Sequence, residues 1–393
     1  MNRLPEFVAT CALGTEPAVA TELKALKVRH VRQGRGSVTF VCTLEDAMRV
    51  CLNLRSAMRV LQRLGTFECP DAEALYEGVK ALPWPDLMTP RHTFTVDATG
   101  TNEALRHTGF TALKAKDAIA DVMRDATGTR PDVERGKVSA DVPVVVHIHK
   151  NECTVSLDMC GDALHRRGYR PQDAEAPLKE TLAAAMLIMA GYTGDEPFMD
   201  PMAGSGTLVV EAAWMAMRRA PGLDRHFAFE RWPNFAGTLQ SAWHKLQHQA
   251  RESIRTTGLP PVGGRDWLAP PYALLLESVE RAGVAPYVQL EKGDVRKLAL
   301  PRDGGHVVIN PPYAERLGKP LQILGLYRSM GEVARTWHGW KVHVLSGHPQ
   351  FEECFGLRPR SWQRLFNGPI ECSYLHYEIP TARMDAPPPT SQR

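Results

Sequence analysis

From residue 178 onward, apolar runs of strand length alternate with longer apolar stretches of helical period, and this alternation constrains the fold more than any other feature of the chain. Residues 178–189 read as a helix, 197–199 as a strand feeding a glycine-rich turn, and 207–217 as a second helix. Strand-like runs follow at 261–264, 288–290, 306–310 and 341–346, with helical stretches at 272–282 and 321–337 between them. The pattern predicts an α/β layer structure built on a parallel, doubly wound sheet.

With 393 residues the chain exceeds what one hydrophobic core organises, so several domains are expected. A hydrophobic fraction of 44% with 23% charged residues excludes a disordered or fibrous chain. The longest nearly apolar stretch, 182–192, is about half of the ~20 residues a membrane span needs, and the N-terminus lacks the pattern of a secretory signal. No membrane partner is expected. The eight cysteines are scattered without a CxxC pair and read as small buried hydrophobes in a reducing, cytoplasmic protein, with no metal site. Net charge is only +3, so contact with a polyanion must rest on local patches.

The N-terminal half reads differently. Strands at 7–10 and 37–42 alternate with helices at 14–27 and 44–64, the last predicted from the spacing of Ala47, Val50, Leu54, Ala57 and Leu61. This is a small α+β unit ending near Gly65. A second unit follows, with a helix at 73–82, a strand at 93–98, a helix at 108–127 and a hairpin of 143–149 with 153–158. The polar, proline-punctuated stretch 165–177 marks a boundary, and 385–393 reads as a disordered tail.

The glycine turn is Asp200-Pro-Met-Ala-Gly204-Ser205-Gly206-Thr207. Two glycines between a strand and a helix let backbone approach a ligand closely. No lysine follows Gly206, so a triphosphate would find no basic partner, and Val209 stands where a dinucleotide fingerprint needs its third glycine. A carboxylate at the turn disfavours pyrophosphate and suits a cationic or hydroxyl-bearing nucleoside. Asp266 and Asp294 stand where later strands should end, placed to accept from ribose hydroxyls and from an adenine amine. Together they describe a site for S-adenosyl-L-methionine, yielding S-adenosyl-L-homocysteine, with no metal. Taken singly, each is an ordinary turn or a helix cap.

Asn310-Pro311-Pro312-Tyr313 directly follows the apolar run 307–309. An exocyclic nucleobase amine is a poor nucleophile because its lone pair is delocalised. Accepting its two N–H bonds with the Asn310 side-chain carbonyl and the Pro311 backbone carbonyl favours a pyramidal nitrogen aimed at a methyl carbon. The prolines hold the backbone extended, and Tyr313 offers a face for stacking. The bland alternative is a proline-stiffened junction with a surface tyrosine.

At these residues the chain resembles the RlmL-type large-subunit ribosomal RNA guanine-N2 methyltransferases, which carry a THUMP domain ahead of a Rossmann-like class I methyltransferase domain. The resemblance runs through DPMAGSGT at 200–207, NPPYAERLG at 310–318, the segments 94–121 and 164–184, and the opening 7–26, which is similar to the family's ferredoxin-like unit. It implies a ferredoxin-like domain at 1–65, a THUMP RNA-binding domain at 66–162, a methyltransferase domain at 163–382 and a tail at 383–393. It implies methyl transfer to the N2 amine of a guanosine in structured RNA, 23S rRNA or a large-subunit precursor, with no obligate protein partner. Methylation of tRNA guanine, and a catalytically inactive RNA-binding assembly factor, are the alternatives. Some relatives carry a second methyltransferase domain, for which this chain ends too early. Two departures weaken ribose recognition or move it: Leu268 replaces an acidic residue, and Pro270-Pro271 with Ser278 stand where the family has a helix carrying Asn.

Arg55, Arg59 and Arg63 fall at i, i+4 and i+8 in a stretch free of acid from Asp46 to Glu68, and on a helix would line one face. Such a row can track phosphates or form a solvated face. Arg106, His107, Lys114 and Lys116 lie in the THUMP-like segment, and Arg166 and Arg167 at the domain junction. The aromatic stretch 227–235 reads as packing more than as a roof over a base pocket.

Overall fold

The structure is a computed structural model that describes residues 4–134, 140–171, 178–301, 304–313 and 320–381. The expected tail at 383–393, and parts of the segments 164–184 and 310–318, lie outside the described residues. The chain forms two compact units, the first from residues 1–167 with 219–254, the second from 168–218 with 255–393.

The first unit runs β1 (Glu6–Thr10), α1 (Glu16–Ala25), β2 (Arg29–Gln33), β3 (Ser37–Val41), α2 (Leu44–Asn53), β4 (Arg59–Glu68), α3 (Ala72–Lys80), α4 (Trp84–Leu87), β5 (Phe94–Thr99), α5 (Thr108–Thr127), β6 (Val142–His149) and β7 (Glu152–Asp158). Its strands make one sheet in the order β2-β3-β1-β4-β7-β6-β5, antiparallel except for β5 beside β6. The ten-residue β4 pairs with β1 on one side and β7 on the other, joining the two α+β halves into a single layer.

The helix expected over 44–64 stops at Asn53. Leu54 is already extended, and the backbone N–H groups of Arg55 and Ser56 both donate to the Glu22 carboxylate, at 2.8 and 3.0 Å. Leu61 keeps its helical spacing only by coincidence: it lies on β4, opposite Val8. Tertiary pairing overrides the period here.

The second unit begins with α6 (Glu180–Met189), β8 (Phe198–Asp200) and α7 (Thr207–Ala216). The chain then contributes residues 219–254, including α8 (Thr238–Glu252), to the first unit, where Phe227, Phe229, Phe235 and Trp243 join the core with ring centroids 5.0–5.9 Å apart. The aromatic stretch is therefore packing. The second unit resumes with β9 (Val262–Asp266), α9 (Ala269–Arg281), β10 (Gln289–Lys292), β11 (Gly305–Ile309), α10 (Pro320–Ala334), β12 (Trp340–Ser346), α11 (Phe351–Phe355), β13 (Ser361–Asn367) and β14 (Ile370–Glu378).

Its sheet has the order β10-β9-β8-β11-β12-β14-β13. The first five strands are parallel, as expected. The last two are not: β14 runs antiparallel between β12 and β13, so the sheet is mixed. The hairpin turns at Gly368-Pro369, between the paired Asn367 and Ile370, with Gly368 at φ 63°, the backbone that such tight turns require. Strand order reverses between β8 and β11, and ligands in open α/β sheets bind outside the carboxyl ends of strands at such a switch point.

Candidate active site

A cavity of about 1160 Å³ opens in the second unit where β8, β9, β10 and β11 end. Asp200, Gly204, Ser205 and Thr207 line it from the β8–α7 turn, Asp266 from the end of β9, Asp294 from beyond β10, and Asn310 and Pro312 from the end of β11. The structure thus gathers at one cavity the glycine turn, the later acids and the Asn-Pro-Pro motif, which the sequence spreads over more than a hundred residues. Gln322, Leu326 and Ser329 of α10 close another side.

The turn is shaped by its glycines. Gly204 and Gly206 have φ of 54° and 85°, a left-handed region costly for side chains. A Cβ on Gly204 would meet nothing within 4 Å, whereas one on Gly206 would lie 2.5 Å from the Leu275 side chain. One glycine faces open space and the other permits close packing of α7 on α9. The Asp266 carboxylate accepts the Gly204 N–H at 3.0 Å and the Leu268 N–H at 3.0 Å. It fixes the turn, and its oxygens keep lone pairs for a ligand.

Asp294 is held harder. Its carboxylate accepts the Arg296 backbone N–H at 2.9 Å and the guanidinium Nε at 2.8 Å, and that charge keeps its pKa below the ordinary carboxylate range. The sequence reading missed the group that anchors this corner. Arg265 is buried, pairs with Glu291, and donates to the Asp294 carbonyl at 3.1 Å. A lone arginine within the strand-like run before Asp266 was the available signal.

Asp200 differs from the expected carboxylate at the turn. It is 2% exposed, and burial pushes its pKa up to about 8, with only the Met202 N–H at 3.1 Å opposing the shift. Burial, with the nearby Asp266 charge, thus favours its protonated form, which can donate a hydrogen bond.

Tyr313 also departs from expectation. Its ring is 8% exposed and packs away from the cavity, so it presents no open stacking face. Its hydroxyl donates to Asn310 Oδ1 at 2.7 Å. That bond orients the amide and leaves one lone pair of the carbonyl free. Tyr327 of α10 donates to the Pro312 carbonyl at 2.8 Å and fixes the other end of the motif. Pro311 is buried.

The two departures expected to disturb this wall do not break it. Pro270 and Pro271 occupy the first turn of α9, where a missing N–H costs no helical bond. Leu268 precedes the helix and lends its backbone N–H to Asp266. Ser278 is buried on α9 and does not line the cavity.

The basic residues singled out in the sequence are all in the first unit and not at this cavity. Arg55, Arg59 and Arg63 share no helix face: Arg55 follows α2, and the others lie on β4. Arg55 donates to the Arg219 carbonyl at 2.5 Å, Arg59 pairs with buried Asp158, and Arg63 reaches Glu6 at 3.0 Å. Arg167 is buried, donating to the carbonyls of Leu164 and Arg55 at 2.9 and 2.6 Å. Arg166 meets Asp162 at 3.2 Å, and Lys116 meets Asp117 at 3.0 Å. Lys114 sits 4.5 Å from the Tyr76 ring centroid, Arg106 donates to the Glu103 carbonyl at 2.8 Å, and His107 precedes α5. Among the described residues there is no group of three or more His, Cys, Asp or Glu placed to hold a metal, and no helix long and apolar enough to cross a membrane. Seven of the eight cysteines are buried and all are free.

Comparison with known proteins identifies the domains. Residues 167–376 match the RMKL-like methyltransferase domain, 69–158 the THUMP domain, and 6–61 the RlmL ferredoxin-like domain. The chain belongs to the RMKL-like methyltransferase family. A ribosomal RNA large subunit methyltransferase K/L from Syntrophotalea carbinolica is 38% identical over 97% of this chain and 55% of its own length. The counterpart from Aeromonas hydrophila is also 38% identical, over 96% of this chain and 54% of its own. The chain thus spans about half the length of these curated relatives. Among solved structures, SMU.472, assigned as a methyltransferase and crystallised with SAH, is 28% identical with a TM-score of 0.86 over 96% of this chain and 99% of its own. A predicted N6-adenine-specific DNA methylase from Listeria monocytogenes is 30% identical with a TM-score of 0.85, covering 97% of each chain.

Proposed function

We propose that this RMKL-like chain transfers a methyl group from S-adenosyl-L-methionine to the exocyclic N2 amine of a guanosine in structured RNA, 23S large-subunit rRNA, in the cytoplasm. The observation that carries the reading is the convergence, on one cavity, of a glycine turn without basic side chains, two carboxylates and an Asn-Pro-Pro motif. The rRNA names of the relatives, and the match to a THUMP domain, support RNA as the substrate.

The cavity suits the cofactor by its donor set. Asp266 offers lone pairs to vicinal hydroxyls, Asp294 lies beside it, and Leu268, Pro270 and Val295 supply apolar wall for a flat base. Among the described residues that line it, the one cationic side chain, Arg296, is bound to Asp294 and is not free to neutralise a pyrophosphate. When bound, S-adenosyl-L-methionine supplies an electrophilic methyl whose bond to sulfur breaks as the bond to nitrogen forms.

The protein's own contribution is position. Asn310, aimed by Tyr313, and the carbonyl of Pro311 accept the two amine protons, which localises the nitrogen lone pair. No strong base is required, because the proton leaves after the transfer. Arg265, Tyr313 and Tyr327 are positioning residues, acting through Asp294, Asn310 and Pro312.

The test has two parts. Cofactor binding is measured on the wild type and on Asp266→Ala, and rRNA and tRNA from cells lacking the protein are digested and searched for a missing N2-methylguanosine. The expected result is roughly 10- to 100-fold weaker binding in Asp266→Ala and a mark lost from 23S rRNA alone. Absence of cofactor binding in the wild type sinks the enzyme reading, and loss confined to tRNA moves the substrate there. In Asn310→Ala, transfer should fall by roughly 10²- to 10³-fold with cofactor binding nearly intact.

A further inference from the structure

Between Glu22 and Glu45 the chain carries Lys24, Lys27, Arg29, Arg32 and Arg35, with His30 among them, and no acidic residue. All six basic side chains are exposed. Among the described residues none of them takes part in an ion pair, whereas Arg49, Arg59 and Arg63 of the same unit each have a carboxylate. The segment centres on β2, the outermost strand of the first unit's sheet.

Its geometry gathers these charges. Arg29 stands opposite Val41 and Arg32 opposite Thr39, with an irregularity of register between them. His30 has φ 53°, a conformation uncommon for a residue with a side chain, so the strand bulges there and re-aims its neighbours. Arg29, His30 and Arg32, with Thr39 from β3 and Thr66 from β4, line a hollow of about 800 Å³, in which the carboxylate of Glu6 is paired with Arg63.

The chemistry selects the occupant. Guanidinium forks match phosphate oxygens two at a time, and threonine hydroxyls bond the same oxygens. Among the described residues no Phe, Tyr or Trp lines the hollow, and the exposed His30 imidazole is the one ring there, so the hollow favours the backbone over stacked bases. Charges that only deter edge pairing need no concavity, and a flat lipid surface does not reach into one.

We propose that the β2 edge and its hollow bind the sugar–phosphate backbone of the RNA, independently of sequence. This rests on the reading of the chain as an RNA methyltransferase and adds the surface that receives the RNA.

The full-length triple variant Arg29→Ala, Arg32→Ala, Arg35→Ala tests it, with large-subunit rRNA from cells lacking the protein as the probe. Affinity should fall about tenfold at ~100 mM salt, and the slope of log affinity against log salt should become shallower by about two. The corresponding triple lysine variant should recover most of the affinity, since a phosphate accepts a point charge. Cofactor binding and melting temperature should match the wild type in both. Wild-type affinity and slope in the alanine variant overturn the proposal. So does RNA affinity left intact while binding to phosphatidylglycerol vesicles is lost, or while the variant self-associates. A wild type that binds rRNA through these arginines yet transfers no methyl to any RNA removes the proposed reaction and leaves this surface standing.

Discussion

The two units commit their polar side chains in opposite ways. In the first, Arg55, Arg59 and Arg167 turn to carbonyls or carboxylates of their own unit, whereas the β2 segment leaves a cluster of cations to solvent. At the cavity of the second, Asp266 and Asn310 are each held by protein donors on one side and face open space on the other. A group wholly satisfied by its own chain is structural, whereas one fixed but still open is prepared for a ligand. Charge counted along the sequence does not separate the two.

Three measurements can break or sharpen that division. Asp200 tests its edge, since it borders the cavity yet is buried with one partner. Its pKa rises from 3.8 unfolded to about 8 folded, so above pH 4 the unfolded chain releases a proton that the folded chain retains. Stability therefore falls as pH rises from about 4 to 8. Asn at this position should remove that penalty, on the order of 3–5 kcal/mol at pH 8 and little at pH 4, in melts across the range. A constant offset between the two proteins at all pH values would show that Asp200 is ionised in the fold.

Arg59→Ala removes the partner of Asp158, which is almost wholly buried. The fully buried case costs roughly 3–5 kcal/mol, and the one-third exposure of Arg59 lowers the expectation to about 2. Denaturant titration measures it. Arg32→Ala, with no partner to strand, should stay within about 0.5 kcal/mol. Equal losses in the two variants would erase the distinction between committed and open arginines.

A smaller loss than that of Arg59→Ala is expected of Tyr313→Phe, and in rate instead of stability. It keeps the buried ring and loses the hydroxyl that orients Asn310. The rate constant kcat should fall roughly three- to tenfold, with KM for cofactor unchanged. A matching loss of cofactor affinity would mean that the tyrosine supports the whole wall.

The site was more legible in the sequence than the fold around it. DPMAGSGT and NPPY announce themselves because close backbone approach and paired carbonyls restrict which residues serve, and the structure brings both to one cavity. The five parallel strands were legible from apolar runs between helices. The β13–β14 hairpin went unread, although Gly368-Pro369 between two runs of strand length is a turn signal, because the edge strand β13 is mostly polar and exposed and so shows little apolar pattern. The start of β4 was illegible for a different reason: Ala57 and Leu61 fit a helical stripe, and only pairing with β1 and β7 reveals the strand. Arg265, Tyr313 and Tyr327 act through hydrogen bonds that no spacing encodes.

Residues 219–254 leave the second unit's stretch of sequence and complete the first unit's core, so the polypeptide passes between the units three times. A cut after Arg167 would leave the first fragment without Phe227, Phe229 and Trp243, while the second, which holds the whole second unit, would carry them without the core they complete. Such halves are candidates for a split protein reconstituted by mixing, in which a gain in folding of the first fragment would report reassembly of an aromatic cluster supplied by the other.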